Sequence, residues 1–118
     1  MHSMDNLKKL LRFGKLAPEA TNAFWGYDKA ALADGTIPKK YKELMAIAVA
    51  LTTQCVYCIE FHQQGALKAG ATEEELVEAV HVATALRAGG AITHGTHLLA
   101  QGASLEKAAP DLRNGEHA

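Results

Sequence analysis

Two cysteines and a histidine lie close together near the middle of the chain, in the segment ELMAIAVALTTQCVYCIEFH. Cys55 and Cys58 are the two cysteines of the sequence, and they are three positions apart. Residues i and i+3 of a helix share one face, and their Cα atoms lie about 5 Å apart, which is within the range that a disulfide needs. The pair can therefore alternate between dithiol and disulfide without a change of fold, which predicts redox chemistry centred on Cys58.

Two further side chains could govern the protonation of Cys58. His62 follows it by four positions, so the imidazole shares its helix face and can accept the thiol proton. Glu43 lies ten residues before Thr53 and His62 nine after it, so a chain reversal near Thr53 brings the carboxylate and the imidazole to a similar height. A carboxylate there would fix the tautomer of the imidazole and favour its role as a base. We predict a Glu43–His62–Cys58 relay, with Cys55 as the partner thiol.

Other uses of these residues remain open at the level of the sequence. The two cysteines alone could be small buried apolar residues. Together with His62 they could hold a zinc ion, whose fourth ligand would come from His81, His94 or His97. Otherwise we expect His94 and His97 to be structural or solvent-exposed, and His81 to be a hydrogen-bonded core or interface residue.

The elements that must position these side chains are predicted to be helices. Alanine and leucine are abundant, and runs of β-branched residues are nearly absent. Apolar residues recur at helical spacing, as at Leu44, Ile47, Ala48 and Leu51. We predict an all-α fold, a single-domain bundle of about six helices with a polar tail from about residue 103.

Local signals mark where the predicted helices begin and end. Asp5 can cap a first short helix that Gly14 ends, and Pro18 suits the first turn of a second helix. Asp34-Gly35 breaks that second helix. A third helix is predicted from Pro38 to about Ala50 or Thr52. A fourth covers about 55–69, with Thr53 as its N-cap and Gly70 as its stop. A fifth begins at the capping box of Thr72 and Glu75 and is interrupted or kinked at Gly89-Gly90.

Composition narrows the classes of function. At 118 residues the chain suits one domain, and its formal net charge of −1 with scattered basic residues argues against nucleic acid and anionic membranes as partners. No apolar run approaches the roughly 20 residues of a membrane span, and the N-terminus lacks the apolar block of a secretory signal. We therefore expect a cytoplasmic location, where a cysteine pair is more often catalytic or metal-binding than a structural staple.

The segment KYKELMAIAVALTTQCVYCIEFHQQGALKAGATEEELVEAVHVA, from Lys40 to Ala83, resembles the alkylhydroperoxidase D-like branch of the carboxymuconolactone decarboxylase superfamily. The string Glu-x11-Cys-x2-Cys-x3-His is specific for that branch, and the looser N-terminal segment FWGYDKAALADGTIPKK agrees with it. The resemblance implies an all-helical fold that assembles into homo-oligomers, commonly trimers or hexamers. Decarboxylase members share the fold but lack the thiol pair, so both cysteines favour redox over lactone chemistry.

The resemblance also implies a reaction and a role for each site residue. Cys58 matches the cysteine that attacks a peroxide, Cys55 matches the resolving and more exposed cysteine, and His62 with Glu43 matches the proton relay. Tyr57 departs from the pattern, because the best-studied members carry a histidine there, and the chain has one repeat where those members have two. The expected function is reduction of a small hydroperoxide, with a dithiol or a redox protein as reductant and with no metal or organic cofactor.

Two other functions need the same residues. A protein disulfide carrier would use the cysteine pair to move electrons between partners, with peroxide reduction only incidental. A binding or assembly module would use the pair and His62 for structural zinc. In each case the apolar content of 48% and the alanine- and glycine-rich helices predict contacts between subunits. Trp25 and Tyr27 are expected to pack in the core or in such a contact.

Overall fold

The computed structural model describes residues 2–101, and every regular element in that range is helical. The five α-helices are α1 (Leu10–Leu16), α2 (Pro18–Leu32), α3 (Lys39–Thr53), α4 (Val56–Lys68) and α5 (Glu73–His94). Short 3-10 helices, Met4–Lys9 and Gly95–Leu98, flank them. The predicted all-α fold is confirmed, and the predicted polar tail lies outside the described residues. None of the helices within 2–101 combines the length and the apolarity that a membrane span needs.

Two compact units divide the chain, Met1–Arg87 and Ala88–Ala118. All four residues predicted for the site lie in the first unit. The second unit is described over 88–101, where it contains the end of α5 and the 3-10 helix that follows. The organisation as a single domain stays a prediction.

The start of the chain differs from the prediction. Ser3, not Asp5, caps the first segment, because the Ser3 hydroxyl accepts a hydrogen bond from the Asp5 backbone N–H at 3.3 Å. Helix α1 runs through Gly14 and ends before Ala17, whose backbone is not helical (φ −142°, ψ 72°). The residue before a proline is disfavoured in the helical region, so Pro18 rather than Gly14 ends α1. Pro18 begins α2, as predicted.

The link between α2 and α3 is held by three hydrogen bonds. The Lys39 backbone N–H donates to Asp34 Oδ1 at 2.6 Å, so a carboxylate five positions before the first residue of α3 caps its start. Lys39 Nζ donates to Leu32 O at 3.2 Å, and Lys42 Nζ donates to Ala33 O at 2.7 Å. These two ammonium groups satisfy carbonyls that the end of α2 leaves without a helical partner. The first turn of α3 is therefore fixed against the end of α2.

Helices α3 and α4 form the centre of the first unit. The residues that α3 buries, Glu43, Ile47 and Ala50, recur at intervals of four and three, so they form one stripe. Ala66 on α4 is fully buried, and with Ile47 and Ala71 it forms the core cluster. Leu44, Leu51 and Leu76 are partly buried and pack against that cluster. The small side chain of Ala66 allows α4 to approach α3 closely.

The turn between α3 and α4 is shorter than predicted. Gln54 adopts the left-handed conformation (φ 59°), the one positive φ of a non-glycine residue among 2–101, and it ends α3. Thr53 is the last residue of α3, so its prediction as N-cap is wrong, and Cys55 is the N-cap of α4. The chain changes direction at this left-handed residue. The next residue, Cys55, is therefore already the N-cap of α4.

Helix α5 begins as predicted and continues further. Thr72 N donates to Glu75 Oε1 at 2.9 Å and Glu75 N donates to Thr72 Oγ1 at 3.1 Å, which is the reciprocal pattern of a capping box. Of the predicted interruption or kink at Gly89-Gly90, the interruption is wrong, because the helix continues to His94. A glycine inside a helix costs only about 1 kcal/mol relative to alanine, so it does not by itself end one.

Candidate active site

Cys55 and Cys58 lie at the start of α4 and are joined by a disulfide. Their Cα atoms are 5.3 Å apart, which is the separation expected from the spacing. The Cys55 sulfur also accepts a hydrogen bond from the Cys58 backbone N–H at 3.2 Å. Both residues are half-buried. A sulfur at the N-cap lies at the positive end of the helix dipole, where a thiolate is stabilised after reduction.

The structure places Glu43 and His62 in contact. Glu43 Oε2 lies 2.7 Å from His62 Nδ1, and the two side chains are 6% and 15% exposed. An ionised carboxylate can only accept, so Nδ1 carries the proton in this bond and Nε2 is left as the basic nitrogen of the neutral ring. The antiparallel pairing of α3 and α4 thus gives the imidazole one tautomer and one orientation.

Lys39 joins Glu43 and His62 in one cluster of polar side chains, and it was not predicted from the sequence. Its Nζ lies 3.1 Å from Glu43 Oε1, the oxygen that His62 does not use. The side chain of Lys39 is 44% exposed, whereas that of Glu43 is 6% exposed. The signal in the sequence was the i, i+4 spacing of a lysine and a glutamate on one helix. That spacing alone does not show that the glutamate is buried.

Gly65 is the fourth residue at this cluster and was also missed. A Cβ atom at this position would lie 2.8 Å from Glu43 Oε2, 2.9 Å from Cδ and 3.0 Å from Oε1. No other side chain could occupy the position without displacing the carboxylate. Gly65 follows His62 by three positions, so both lie on the face of α4 that meets Glu43.

A cavity of about 410 Å³ opens beside the cysteine pair. Cys58 and His62 line it, whereas Cys55 does not, so the two cysteines differ in their access to it. Most of the other lining residues are apolar or aromatic, and Asp28 is the acidic one. They are Leu7, Leu10, Phe24, Trp25, Asp28, Tyr57 and Phe61.

Trp25 and Tyr57 are among the aromatic residues that line the cavity. Trp25 is 42% exposed and Tyr27 is 74% exposed, so neither lies in the core of this chain, and the predicted subunit contact stays a prediction. Trp25 lines the cavity and meets Phe24 edge to face, with ring centroids 5.0 Å apart. The Tyr57 hydroxyl accepts a hydrogen bond from Asn6 Nδ2 at 2.9 Å. This bond holds the N-terminal 3-10 helix beside the cysteine segment.

The three histidines considered as a fourth zinc ligand, His81, His94 and His97, do not line the cavity. His81 is exposed, so the core alternative predicted for it is wrong, and the interface alternative stays a prediction. His94 and His97 are also exposed, and their ring centroids are 6.0 Å apart. Within residues 2–101, no three histidine, cysteine, aspartate or glutamate side chains are grouped so that they could hold a metal ion.

An ion pair outside the cluster connects α3 to α5. Lys40 Nζ lies 3.0 Å from Glu75 Oε2. The hydrogen bond from Lys40 lowers the pKa of Glu75, and the Thr72 backbone N–H contributes to the same shift. The hydrogen bond to Glu75 raises the pKa of Lys40. The pair holds the start of α5 against the helix that carries Glu43.

Comparison with known proteins identifies the family. Residues 18–101 match the model of the carboxymuconolactone decarboxylase family. The chain belongs to the carboxymuconolactone decarboxylase family. The resemblance in the sequence is thereby confirmed at the level of the superfamily.

Relatives of this carboxymuconolactone decarboxylase family member are known in sequence and in structure. Uncharacterized protein 4 in the cox locus of Paracoccus denitrificans is 47% identical over 79 residues, which are 67% of this chain and 71% of that protein. An uncharacterized protein of Cupriavidus necator is 42% identical over 69 residues, 58% of this chain and 61% of that protein.

Two crystal structures have the same fold. An apo carboxymuconolactone decarboxylase family protein from Legionella pneumophila aligns with a TM-score of 0.67 and 41% identity, over 70% of this chain and 73% of that one. A protein from Methanobacterium thermoautotrophicum aligns with a TM-score of 0.70 and 32% identity, over 75% of this chain and 99% of that one. The fold is therefore shared well beyond the segment around the cysteines.

Proposed function

We propose that this protein is a thiol-dependent hydroperoxide reductase. One observation carries the proposal: a cysteine of a disulfide pair and an imidazole oriented by a buried carboxylate line the same apolar cavity. A cavity of about 410 Å³ is large enough for a small organic molecule. The family supports an enzyme of this kind, since it includes alkylhydroperoxidase D-like members.

The first step consumes the peroxide. In the reduced protein, His62 Nε2 accepts the proton of the Cys58 thiol, and Glu43 stabilises the imidazolium that forms. The Cys58 thiolate attacks one peroxide oxygen, the O–O bond breaks, and the leaving alkoxide takes the proton back from His62. The products are an alcohol and a sulfenic acid on Cys58, so the sulfur is oxidised by two electrons and the peroxide is reduced by two.

The second step closes the disulfide and the third restores the thiols. The Cys55 sulfur attacks the Cys58 sulfenic acid, an S–S bond forms, and the hydroxyl leaves as water with the Cys55 proton. A dithiol, free or carried by a redox protein, then reduces the disulfide by exchange and is itself oxidised. The helix start need not move, because the native Cα separation of 5.3 Å already suits the bond.

A single-turnover experiment tests this proposal. The protein is reduced with dithiothreitol, freed of reductant and mixed with cumene hydroperoxide, and thiols and alcohol are quantified. We expect two thiols lost and one alcohol formed per chain. Cys55→Ser should stop at a Cys58 sulfenic acid that dimedone traps, and Cys58→Ser should form no alcohol. Alcohol formation by Cys58→Ser at the wild-type rate would show that Cys58 is not the nucleophile.

A protein disulfide carrier is the second candidate. The half-buried disulfide lies at a helix N-terminus, where a partner thiol can reach it, and this favours exchange with a protein. The two functions separate by rate. If the protein reduces the disulfides of insulin much faster than it reduces cumene hydroperoxide, the result favours the carrier.

The proposal also covers the location, the oligomeric state and the reductant of the protein. We propose a cytoplasmic homo-oligomer, a trimer or a hexamer, that meets a dithiol or redox protein as its reductant. Exposed apolar side chains on α5 support subunit contacts, because solvent-exposed apolar rows commonly mark interfaces. They are Val77, Val80, Val82 and Leu86, which are 42–69% exposed.

A further inference from the structure

Asp28 gives the cavity beside Cys58 a negative charge that no neighbouring cation pairs with. It is the one acidic residue that lines the cavity, and none of the lining residues among 2–101 is a lysine or an arginine. No cation in that part of the chain lies within ion-pair distance of its carboxylate. The carboxylate of Glu43 does not line the cavity, and Lys39 Nζ lies 3.1 Å from it. The carboxylate that an entering molecule meets is therefore that of Asp28.

The other walls of the cavity favour an apolar molecule. Leu10 from α1, Phe24 from α2 and Phe61 from α4 all line it with hydrocarbon surfaces. Such surfaces favour contact with apolar groups that leave water, but they offer no hydrogen bond to a carboxylate that does so. An anion in the cavity loses solvation and meets the like charge of Asp28, whereas a neutral apolar molecule meets neither penalty.

The charge of Asp28 acts over the dimensions of this cavity. A sphere of about 410 Å³ is about 9 Å across, close to the Debye length of about 8 Å at physiological ionic strength. Asp28 and Cys58 both line the cavity and are both half-buried, and partly buried charges are screened less than exposed ones. The carboxylate of Asp28 therefore raises the free energy of an anion near the Cys58 sulfur and leaves that of a neutral molecule almost unchanged.

We propose that Asp28 is a specificity-determining residue of the candidate site: its carboxylate makes Cys58 react with neutral apolar molecules in preference to anions. The inference rests on the proposed function, and for that function it names the substrate class. The substrate is a neutral hydroperoxide with an apolar or aromatic body, such as the hydroperoxide of a hydrocarbon or of an ester. The hydroperoxide of a free carboxylic acid is disfavoured, because its carboxylate is repelled by Asp28.

The experiment compares two alkylating reagents that differ in charge. Iodoacetamide is neutral, iodoacetate is an anion of nearly the same size, and both alkylate a thiolate. The rate constant of each with Cys58 is measured at one fixed pH in the reduced Cys55→Ser protein, alone and combined with Asp28→Asn, Asp28→Ser, Asp28→Glu or Glu19→Gln. Within one variant both reagents meet the same thiolate fraction and the same His62, so the ratio of the iodoacetate to the iodoacetamide rate constant reports the discrimination by charge.

We expect Asp28→Asn to raise that ratio about 3- to 10-fold, because the like charge is lost. Asp28→Ser is a second neutral variant and gives the same test where Asp28→Asn lowers the folded fraction seen by circular dichroism. Asp28→Glu keeps the charge and should hold the ratio of the Cys55→Ser parent. Glu19→Gln removes an exposed charge from the same helix, away from the cavity lining, and should not change the ratio. An unchanged ratio in the neutral Asp28 variants, or an equal rise in Glu19→Gln, overturns the inference.

A matched pair of hydroperoxides separates this inference from the proposed peroxidase. Cumene hydroperoxide is neutral, and its derivative with a carboxylate at the para position is an anion. Asp28→Asn should raise the rate of Cys58 oxidation by the anion, relative to the neutral compound, by a similar factor. If neither compound oxidises Cys58 and Asp28→Asn still raises the alkylation ratio, the peroxidase is refuted while the discrimination by Asp28 is supported. If both compounds oxidise Cys58 and their relative rates are the same with and without the Asp28 carboxylate, the peroxidase stands and the inference is overturned.

Discussion

At the scale of residues, Glu43 determines the geometry of the candidate site. Counted over all its atoms, the residue is 4% exposed, and its neighbours are a lysine, a histidine and a glycine. Burial of a carboxylate is costly, so its charge and both oxygens must be satisfied. Lys39 and His62 satisfy one oxygen each, and Gly65 leaves the space that the carboxylate fills. Two of these three neighbours were not predicted from the sequence.

Gly65→Ala should displace the Glu43 carboxylate and lower peroxide turnover. The added Cβ would lie 2.8 Å from an oxygen of Glu43, which is closer than such contacts occur, so the helix or the carboxylate must move. We expect kcat/KM with cumene hydroperoxide to fall at least about tenfold, and unfolding free energy to fall by about 1–3 kcal/mol.

Gly26→Ala on α2 is the control for Gly65→Ala, because nothing lies within 4 Å of a Cβ added there. A helical glycine replaced by alanine at an open position should raise the unfolding free energy by about 0.5–1 kcal/mol without changing turnover. If Gly65→Ala behaved like Gly26→Ala in both turnover and unfolding free energy, the close approach of Gly65 to Glu43 would not be needed for activity or stability.

His62→Ala should lower the rate of Cys58 oxidation by about a hundredfold or more, because the base that accepts the thiol proton is removed. The measurement is stopped-flow reaction of the reduced protein with cumene hydroperoxide at neutral pH. The neighbouring exposed Gln63→Ala on the same helix should react at the wild-type rate. Equal rates for the two variants would remove His62 from the mechanism.

At the scale of elements, the site exists because α3 and α4 are antiparallel and close. A left-handed Gln54 reverses the chain, and the fully buried Ala66 allows the helices to approach. The same turn makes Cys55 the N-cap of α4, so the Cys55 sulfur lies at the start of that helix. The first turn of α3 is tied to α2 by Lys39 and Lys42, and the same turn is tied to α5 by the Lys40–Glu75 ion pair.

Glu75→Gln should lower the melting temperature in a way that depends on pH. Glutamine keeps the capping box with Thr72, so the change removes the charge that pairs with Lys40. The pKa of Glu75 is lowered below its usual 4.5 by Lys40, so the carboxylate stabilises the fold above that value, and this stabilisation is lost as pH falls through the lowered pKa.

The measurement for Glu75→Gln is the difference in melting temperature from wild type across pH 2 to pH 8. We expect the difference to be constant above about pH 5 and to disappear at the acid end. Glu74→Gln is the control, since it lies in the same first turn of α5 but is not the partner of Lys40. A difference that did not change with pH would argue against the ion pair as its source.

At the scale of the whole molecule, much apolar surface is exposed in the single chain. Large apolar residues of several helices are more than 40% exposed, including Phe61 at 60% and Leu86 at 69%. Solvent exposure of so many apolar side chains is unfavourable unless another surface covers them. The proposed homo-oligomer would supply that surface.

Sedimentation of the wild-type protein should therefore give a mass that is a multiple of 12.6 kDa. Val82 and Leu86 are four positions apart on α5 and both are exposed, so Val82→Lys with Leu86→Lys places two charges on one helix face. We expect the double variant to sediment at a lower mass, because buried unpaired charges disfavour association. Thr84→Lys, on the same exposed helix, is the control variant, and a monomeric wild type would contradict the proposed assembly.

Local signals predicted many of the helix boundaries because each depends on a few neighbouring residues. Pro18 at the start of α2 and the reciprocal bonds of Thr72 and Glu75 needed no tertiary information. Gly14 and Gly89 were misread as breaks, since a glycine only weakens a helix and other contacts decide whether it continues. Thr53 was misassigned as a cap because the left-handed conformation of Gln54 has no strong signature in a non-glycine residue.

The amino-acid sequence alone determined the helical fold class, the disulfide-compatible spacing of Cys55 and Cys58, and the expected approach of Glu43 to His62. Each follows from helical periodicity, which depends on distances along the chain. Only the tertiary structure decided which oxygen of Glu43 meets Lys39, why Gly65 must lack a side chain, and which cysteine opens to the cavity. These depend on the separation and rotation of packed helices, which the summed contacts of many side chains set and no local pattern encodes.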